Sequence, residues 1–462
     1  MNKPITRTYF GPSAFYRDAL RIVVPVMLQQ LITSMISLVD NFMVAGLGDS
    51  KMAAVNVANQ INFVWLVVVN TACMAGGIYL SQHRGAKNPA GMRHAFRFKL
   101  ILSLGISAVH LILCLVFPEA LISLMLGGNS QGSEIVREGA GFLRIAAIGS
   151  LPFAVSASIA SSFRDIGRTR VPLVISSFAA ALATILNWLL IYGHAGLPRL
   201  EVEGAAIATV IARVFECVIF IVWLARLRPD FAVRPIHVLS IDRGLFREML
   251  GRSAAMFLSE TAWVVSETII TAIYNGRGGA ETVAGMAAGW TIANIFFLVF
   301  PAIHTATGVL VGSTLGSGAL DEARAKGRWI LTGSVFFGAA AGIVAFLSTA
   351  IVPMVFGNLS GEARAITIGL VIVISCYLPL WAMLNGQFAL SRAGGDTAMG
   401  VWVDVGVTYL VFIPLAFALA DFTAMGPVVL FATAKISDIP KALVAGWWLA
   451  KGRWIRNLAG AV

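Results

Sequence analysis

Apolar runs of about 20 residues recur along the whole sequence, and no other feature constrains the fold as strongly. A helix of that length spans the hydrocarbon core of a lipid bilayer, so each run predicts one membrane-spanning helix. Only 12% of the residues are charged and 58% are hydrophobic, whereas a soluble protein carries about 25% charged residues. We therefore predict an all-α polytopic membrane protein that is surrounded by the lipid bilayer.

The apolar runs predict twelve transmembrane helices, and basic residues orient them. The spans are, to within a few residues, 21–45, 53–80, 97–117, 138–162, 171–193, 204–226, 249–275, 283–311, 328–351, 364–389, 399–420 and 425–450. Lysine and arginine number 25 on one side of these helices and six on the other. Because cytoplasmic loops carry the basic excess, both terminal segments, 1–20 and 451–462, are predicted to be cytoplasmic. The net charge of +11 has the same origin, so we expect no nucleic-acid partner.

The two halves of the sequence resemble each other. GDSKMAAVNVANQI (48–61) aligns with GAETVAGMAAGWTI (279–292) at an offset of 231 residues, and FRDIGRTR (163–170) aligns with SRAGGDTA (391–398) at 228. Each half holds six helices, an even number, so the copies enter the membrane in the same orientation. We predict two pseudo-symmetric six-helix bundles that enclose a central cleft, as alternating access requires. The predicted division is an N-lobe of residues 21–226, a cytoplasmic linker of residues 227–248 and a C-lobe of residues 249–450.

Several charged residues lie inside the predicted spans, and a charge at the bilayer centre costs about 3 kcal/mol or more. The candidates are Asp40, Arg213, Glu216, Glu260, Glu267, Asp404, Lys435, Asp438 and Lys441. Arg213 and Glu216 are three residues apart and can neutralise each other on one helix face, as can Asp438 and Lys441. A structural and a functional role stay open for both pairs and for Asp404, while the position of Glu267 predicts an interfacial side chain.

Asp40 and Glu260 have no charged partner nearby in the sequence, which favours a functional role for both. A buried, unpaired carboxyl can hold a proton, ligate Na⁺ together with other oxygens, or pair with an organic cation. We therefore predict that these two residues bind the coupling ion or proton.

Polar and aromatic side chains in the spans are candidates for the wall of the cleft. Gln60, Asn187, Arg213 and Lys441 are the polar candidates, although helix-to-helix hydrogen bonding is an alternative for the amides. Trp263, Trp290, Tyr377 and Trp381 are the aromatic candidates for stacking on a flat cation, with packing or lipid contact as the alternative.

No motif of a zinc protease or of a nucleotide-driven pump is present: HExxH and a phosphate-binding loop are both missing. The four cysteines stand singly in apolar runs and predict neither disulfides nor a metal site. We expect no cofactor, and transport energy would come from an ion gradient. One charge that crosses 100 mV releases about 2.3 kcal/mol, which sustains a roughly fifty-fold concentration ratio.

These motifs resemble the multidrug and toxic compound extrusion (MATE) transporters over residues 20 to 457. The resemblance rests on LVDNFMVAGLG with AAVNVANQI, RDIGRTRVPLVIS, LNWLLIYG, VEGAAIATVIAR, SETAWVVS and RAGGDT, in this order. It implies a V-shaped cleft between two lobes and the exchange of Na⁺ or H⁺ for small organic, often cationic, compounds. It also implies a bacterial inner membrane, and we expect a functional monomer.

The resemblance carries over to individual positions. Asp40 matches the acidic residue of helix 1, Glu260 the glutamate of helix 7, and Thr209 a threonine of helix 6 that lines the N-lobe. Asn187 stands where some members have an aspartate.

Trp381 stands where another branch has an acidic residue in helix 10. The resemblance then implies that Asp404 and Asp438 are substitutes for that carboxylate, with a possible Na⁺ at Glu260 and Asp404. The departure leaves the coupling ion, Na⁺ or H⁺, open.

Three functions are compatible with the sequence to different degrees. An ion-coupled exporter of drugs or toxic metabolites is the leading prediction. A flippase for lipid-linked oligosaccharides of the same superfamily is the alternative, but it would favour a cationic cleft, and the central charges here are mostly acidic. A membrane-embedded enzyme would need a histidine with an acid or a metal cluster, and the sequence offers neither.

Overall fold

The computed structural model describes residues 8–126 and 132–460, and this part of the chain is almost entirely helical, without strands. Ten single helices and one pair bent by 48° are long and apolar enough to cross a membrane. In chain order they are α1 (Ser13–Ala45), α2 (Asp49–Gly85), α3 (Pro89–Val116), α4 (Ser133–Ile148 with Ser150–Asp165), α5 (Arg170–Tyr192), α6 (Glu201–Leu227), α7 (Arg243–Asn275), α8 (Ala280–Gly316), α9 (Leu320–Val355), α10 (Gly361–Ala393) and α11 (Gly400–Phe422).

The twelfth segment, α12, consists of two helices, Pro427–Ala434 and Asp438–Ala450, which a 3₁₀ turn joins. Every predicted span therefore has its counterpart, and the all-α polytopic class with twelve segments is confirmed for the described residues. Residues 1–7 and 461–462, which belong to the terminal segments predicted to be cytoplasmic, lie outside the described residues, as do 127–131.

Four prolines accompany breaks in the long helices, whereas Pro25 of α1 and Pro379 of α10 lie inside unbroken helices. A proline within a helix cannot donate to the carbonyl four residues earlier and its ring clashes with it. The positions four residues before Pro152, Pro301, Pro414 and Pro440 all fall at irregularities. The last of them produces the 3₁₀ turn of α12, Lys435–Ser437, and Pro414 accompanies the π-helical stretch Thr408–Phe412 of α11.

The chain forms two compact units. One consists of Met1–Met27, Ser81–Lys87 and Leu250–Val462, and the other of Leu28–Leu80 and Asn88–Met249. The C-terminal unit thus includes the start of α1 and the end of α2, which the sequence prediction assigns to the N-lobe. The predicted linker, residues 227–248, belongs to the N-terminal unit. The division into two lobes around a cleft stays a prediction.

The N-terminal unit has its core between α2, α4, α5 and α6. Leu143, Ile191 and Ala206 are fully buried there, together with Ile122 from the short helix Pro118–Leu126. Burial of each large aliphatic side chain contributes roughly 1.5–3 kcal/mol in a soluble core, whereas in lipid the gain comes mainly from close packing. Phe231 is fully buried against rings of α3 and α4, so the predicted linker is anchored on its own unit.

The C-terminal unit contains a close helix crossing that follows the internal repeat. A Cβ at Gly316 of α8 would overlap the backbone carbonyl of Gln82, and a Cβ at Gly85 of α2 would overlap that of Ser313. Gly316 and Ser313 each follow their counterpart, Gly85 and Gln82, by 231 residues. The internal repeat therefore includes a symmetric contact between α2 and α8. Only glycine at positions 85 and 316 allows the backbones of these two helices to come so close.

Candidate functional site

Asp40 of α1 faces α5 within the N-terminal unit. The Thr184 hydroxyl donates a hydrogen bond to Asp40 Oδ1 at 3.2 Å, and the Asn187 side chain is the other hydrogen-bonding neighbour. Asn187 is buried, and its Oδ1 has no hydrogen-bond partner in the described structure. Among the ion pairs between described residues none includes Asp40. A carboxylate and an unsatisfied amide oxygen are therefore close together without a cation.

A second polar chain crosses the same unit. Gln29 Nε2 of α1 donates to the Ser176 hydroxyl at 3.1 Å, and this hydroxyl donates to Glu216 Oε1 at 2.7 Å. The Arg213 guanidinium lies over the Phe153 ring, 4.3 Å from its centroid. Arg213 and Glu216, whose spacing leaves a structural pairing open, do not form an ion pair in the described structure. Their charges still interact at longer range.

The C-terminal unit pairs its charges between helices. Glu260 of α7, which has no charged neighbour in its own helix, forms an ion pair with Arg392 of α10 at 2.8 Å. Lys441 of α12 pairs with Asp404 of α11, and the pairing with Asp438 that the spacing allows is not formed. The possible Na⁺ ligands Glu260 and Asp404 are thus held in separate ion pairs, and a cation already neutralises each of them.

The two remaining candidate carboxylates of this unit lie around α12. Glu267 pairs with Lys435 at 2.9 Å, and its side chain is 26% exposed. Its interfacial position stays a prediction. Asp438 accepts a hydrogen bond from the Trp381 indole at 2.8 Å and forms no ion pair with a described residue.

Asp40 and Asp438 are the candidate coupling carboxylates that form no ion pair with a described residue. In the C-terminal unit Glu260, Glu267 and Asp404 each pair with a cation, whereas Asp438 does not. In the N-terminal unit Glu216 interacts at longer range with Arg213 and Arg164, whereas Asp40 has only the hydrogen-bonding neighbours Thr184 and Asn187.

The polar candidates Gln60 and Thr209 differ in their surroundings. Gln60 is exposed on α2. The Thr209 hydroxyl donates to the Ala205 carbonyl of its own helix at 2.9 Å, a bond that leaves its oxygen able to accept.

The four aromatic candidates also differ in their exposure and contacts. Trp263 is 47% exposed. Trp290 donates to the Tyr274 hydroxyl at 2.8 Å and packs within the core of the C-terminal unit. Tyr377 and Trp381 stack with ring centroids 5.4 Å apart, next to Asp438. Only the last two rings lie beside a site charge.

Comparisons with known proteins agree on one family. The sequence profile of the MatE family matches residues 25–189. The multidrug resistance protein NorM of Burkholderia vietnamiensis is 27% identical over 83% of this chain and 82% of its own. A probable NorM of Deinococcus radiodurans is 26% identical over 90% of both chains. The chain is similar to MATE-family transporters over most of its length. It is a transporter and not an enzyme.

Solved structures of MATE transporters share the fold. A crystal structure of MATE in complex with MaL6 covers 98% of this chain and 99% of its own, with a TM-score of 0.85 at 17% identity. A second structure is that of a transporter of the MOP superfamily from Pyrococcus furiosus, which is described as having a binding pocket of reverse polarity. It also covers 98% of this chain and 99% of its own, with a TM-score of 0.83 at 18% identity.

In this transporter the repeat relates the two polar sets. Asp404 and Lys441 follow Ser176 and Arg213 by 228 residues. The C-terminal unit uses these positions for an ion pair, whereas the N-terminal unit supplies its carboxylate from Glu216, one turn along α6.

The sequence reasoning missed two ion pairs, that of Arg392 with Glu260 and that of Lys435 with Glu267. The offset between FRDIGRTR and SRAGGDTA was a signal for Arg392, because it equates Arg392 with Arg164. No local pattern links Glu267 with Lys435, which are 168 residues apart.

Proposed function

We propose that this transporter exports small organic compounds, often cationic, in exchange for Na⁺ or H⁺, by alternating access between two lobes. The relatives that carry the name multidrug resistance protein support drugs as the substrate class. The observation that carries the proposal is that one candidate coupling carboxylate in each unit, Asp40 and Asp438, forms no ion pair with a described residue.

Asp40 is the coupling residue of the N-terminal unit in this proposal. One H⁺ or one Na⁺ would neutralise it, and the unsatisfied Asn187 oxygen beside it is a ready ligand for either. A cationic substrate would compensate the same charge. Ion and substrate then lower each other's affinity by the same factor, which is the thermodynamic requirement for exchange.

Asp438 has the corresponding role in the C-terminal unit, where Trp381 holds its carboxylate in place. Glu260 and Asp404 contribute to coupling only in states in which their pairs with Arg392 and Lys441 are open. An ion that binds there must first displace a tethered cation.

The remaining assignments follow from this role. We propose that the protein is located in a bacterial inner membrane, with both termini in the cytoplasm, and that the monomer is the functional unit. Gln60, Thr209 and Arg213 would line the N-lobe side of the substrate pathway, and Lys441 the C-lobe side.

Transport into or out of liposomes tests the proposal. Purified protein is reconstituted, ethidium is loaded, and a Na⁺ gradient and a pH gradient are imposed separately. We expect one of the two to drive ethidium movement, at a rate at least tenfold lower in Asp40→Asn and in Asp438→Asn. Asp421→Asn is the matched control, because Asp421 is an exposed carboxylate at the end of α11, and it should transport as wild type.

Each other outcome has a definite meaning. Wild-type rates in both Asp40→Asn and Asp438→Asn would show that these two carboxylates do not couple transport. If neither gradient moved ethidium in the wild-type protein, the substrate class would be wrong, and translocation of a fluorescent lipid-linked oligosaccharide would be measured next.

A further inference from the structure

The ammonium group of Lys435 lies in a box of aromatic rings closed by a carboxylate. Its Nζ is 2.9 Å from Glu267 Oε1. The same atom lies 4.7 Å from the ring centroid of Phe412, 5.6 Å from that of Phe431 and 6.0 Å from that of Trp381. All three distances fall within the range of cation–π attraction. We refer to Glu267, Phe412, Phe431 and Trp381 as the ammonium box.

The backbone around the box is irregular on two helices. Lys435 begins the 3₁₀ turn of α12, Lys435–Ser437. Pro440 imposes this turn because it lies four residues after Ile436, the middle residue of the turn. Phe412 ends the π-helical stretch of α11. Interruptions of this kind occur often at functional sites, because they turn a side chain away from the regular helical position. Here they bring the lysine head group and one wall of the box together.

Aromatic faces with a carboxylate are the chemistry that recognises an organic ammonium ion. The side chain of Lys435 is itself an alkylammonium, so the box already contains the type of group that it is built to bind. Asp438, held by the indole of Trp381, adds a second negative charge beside the box. A purely structural ion pair would need Glu267 alone.

We propose that Lys435 is a tethered competitor that occupies a substrate subsite for primary alkylammonium groups. The inference rests on the proposed export of cationic compounds and names the part of the substrate that the box takes. A substrate ammonium must displace the lysine, whose tether gives it an effective concentration on the order of millimolar. The lysine therefore keeps substrate affinity low and the site electrically balanced when no substrate is bound.

The geometry also predicts which cations are favoured. The contact between Lys435 and Glu267 is a hydrogen bond as well as an ion pair, since the nitrogen donates to the carboxylate at 2.9 Å. A primary ammonium reproduces this bond, whereas a quaternary ammonium has no N–H to donate. Primary ammonium compounds should therefore gain most when the lysine is removed.

Equilibrium binding tests the inference. Full-length protein in lipid nanodiscs is titrated with dansylcadaverine, a fluorescent primary alkylammonium, and with its neutral N-acetyl form. Lys435→Met should bind dansylcadaverine at least tenfold more tightly than wild type, with no more than a twofold change for the N-acetyl form and less than threefold for the N,N,N-trimethyl form. Lys435→Arg, which keeps the cation, should bind as wild type. Adding Glu267→Gln to Lys435→Met should remove the gain.

The controls make every outcome decisive. A folded Lys435→Met protein, with an unchanged thermal transition, that bound dansylcadaverine no more tightly than wild type would overturn the tethered competitor. If that variant did not fold, Lys435→Gln would be measured in its place and judged by the same criterion. Should wild-type liposomes fail to move ethidium under either gradient, the proposed function would be at fault, independently of this titration.

Discussion

Breaking the buried ion pair between Lys99 of α3 and Asp165 at the end of α4 should have strongly unequal effects on stability. Lys99 has no exposed side-chain surface, whereas Asp165 is 23% exposed. Besides the carboxylate, the ammonium has only the Ser161 and Ser162 hydroxyls, at 3.1 and 3.4 Å. Removing Asp165 leaves the buried ammonium without a counter-charge, whereas Asp165 without Lys99 retains access to water and the neighbouring charge of Arg164.

The magnitude follows from this difference in burial. Asp165→Asn strands a fully desolvated ammonium, and the loss of one partner of a buried pair costs about 3–5 kcal/mol. Lys99→Met leaves a partly hydrated carboxylate and a side chain of similar length, so its cost should be nearer 1–3 kcal/mol, that of one unsatisfied polar group. The double variant should recover at least half of the loss caused by Asp165→Asn.

Unfolding in mixed micelles of mild detergent and SDS measures these free energies. The control is Glu119→Gln, because its pair with Arg144 has the same chemistry at 2.7 Å but both side chains are about half exposed. An exposed pair contributes about 1 kcal/mol or less. If Lys99→Met were more destabilising than Asp165→Asn, or if both cost less than the control, the argument from burial would be refuted.

Two further predictions concern the C-terminal unit. Gly316→Ala should destabilise the protein by about 1–3 kcal/mol, because its Cβ overlaps the Gln82 carbonyl. Gly308→Ala, where nothing lies within 4 Å, should change stability by less than about 0.5 kcal/mol; equal thermal shifts for the two would contradict the crossing. Arg392→Gln should slow gradient-driven ethidium transport because it strands the Glu260 carboxylate, and adding Glu260→Gln should restore folding stability but not coupling. Transport at the wild-type rate in the single variant would show that this pair is dispensable.

The positions of the helices could be predicted from the sequence because hydropathy is a local property. A run of about 20 apolar residues must form a helix in the bilayer, since no water is available for its backbone groups. The prediction therefore missed only details such as the break in α12, although Pro440 marks that break in the sequence. The repeat was also visible, and with it the equivalence of Arg392 and Arg164.

Charge pairing could not be read from the same pattern. The spacing of Arg213 with Glu216 and of Asp438 with Lys441 suggested pairs within one helix, and the structure contains neither among its described ion pairs. A helix presents several faces, and which neighbour each face meets depends on packing that local sequence does not encode.

The sequence by itself determined the class of the protein: a twelve-helix membrane transporter with carboxylates that are too costly to keep without a purpose. Only the tertiary structure decided which of those carboxylates are already neutralised. Glu260 and Glu267 meet cations 132 and 168 residues away along the chain, while Asp40 and Asp438 do not. The physical reason is that Coulomb attraction depends on distance in space, and that distance is fixed by helix packing rather than by order in the chain.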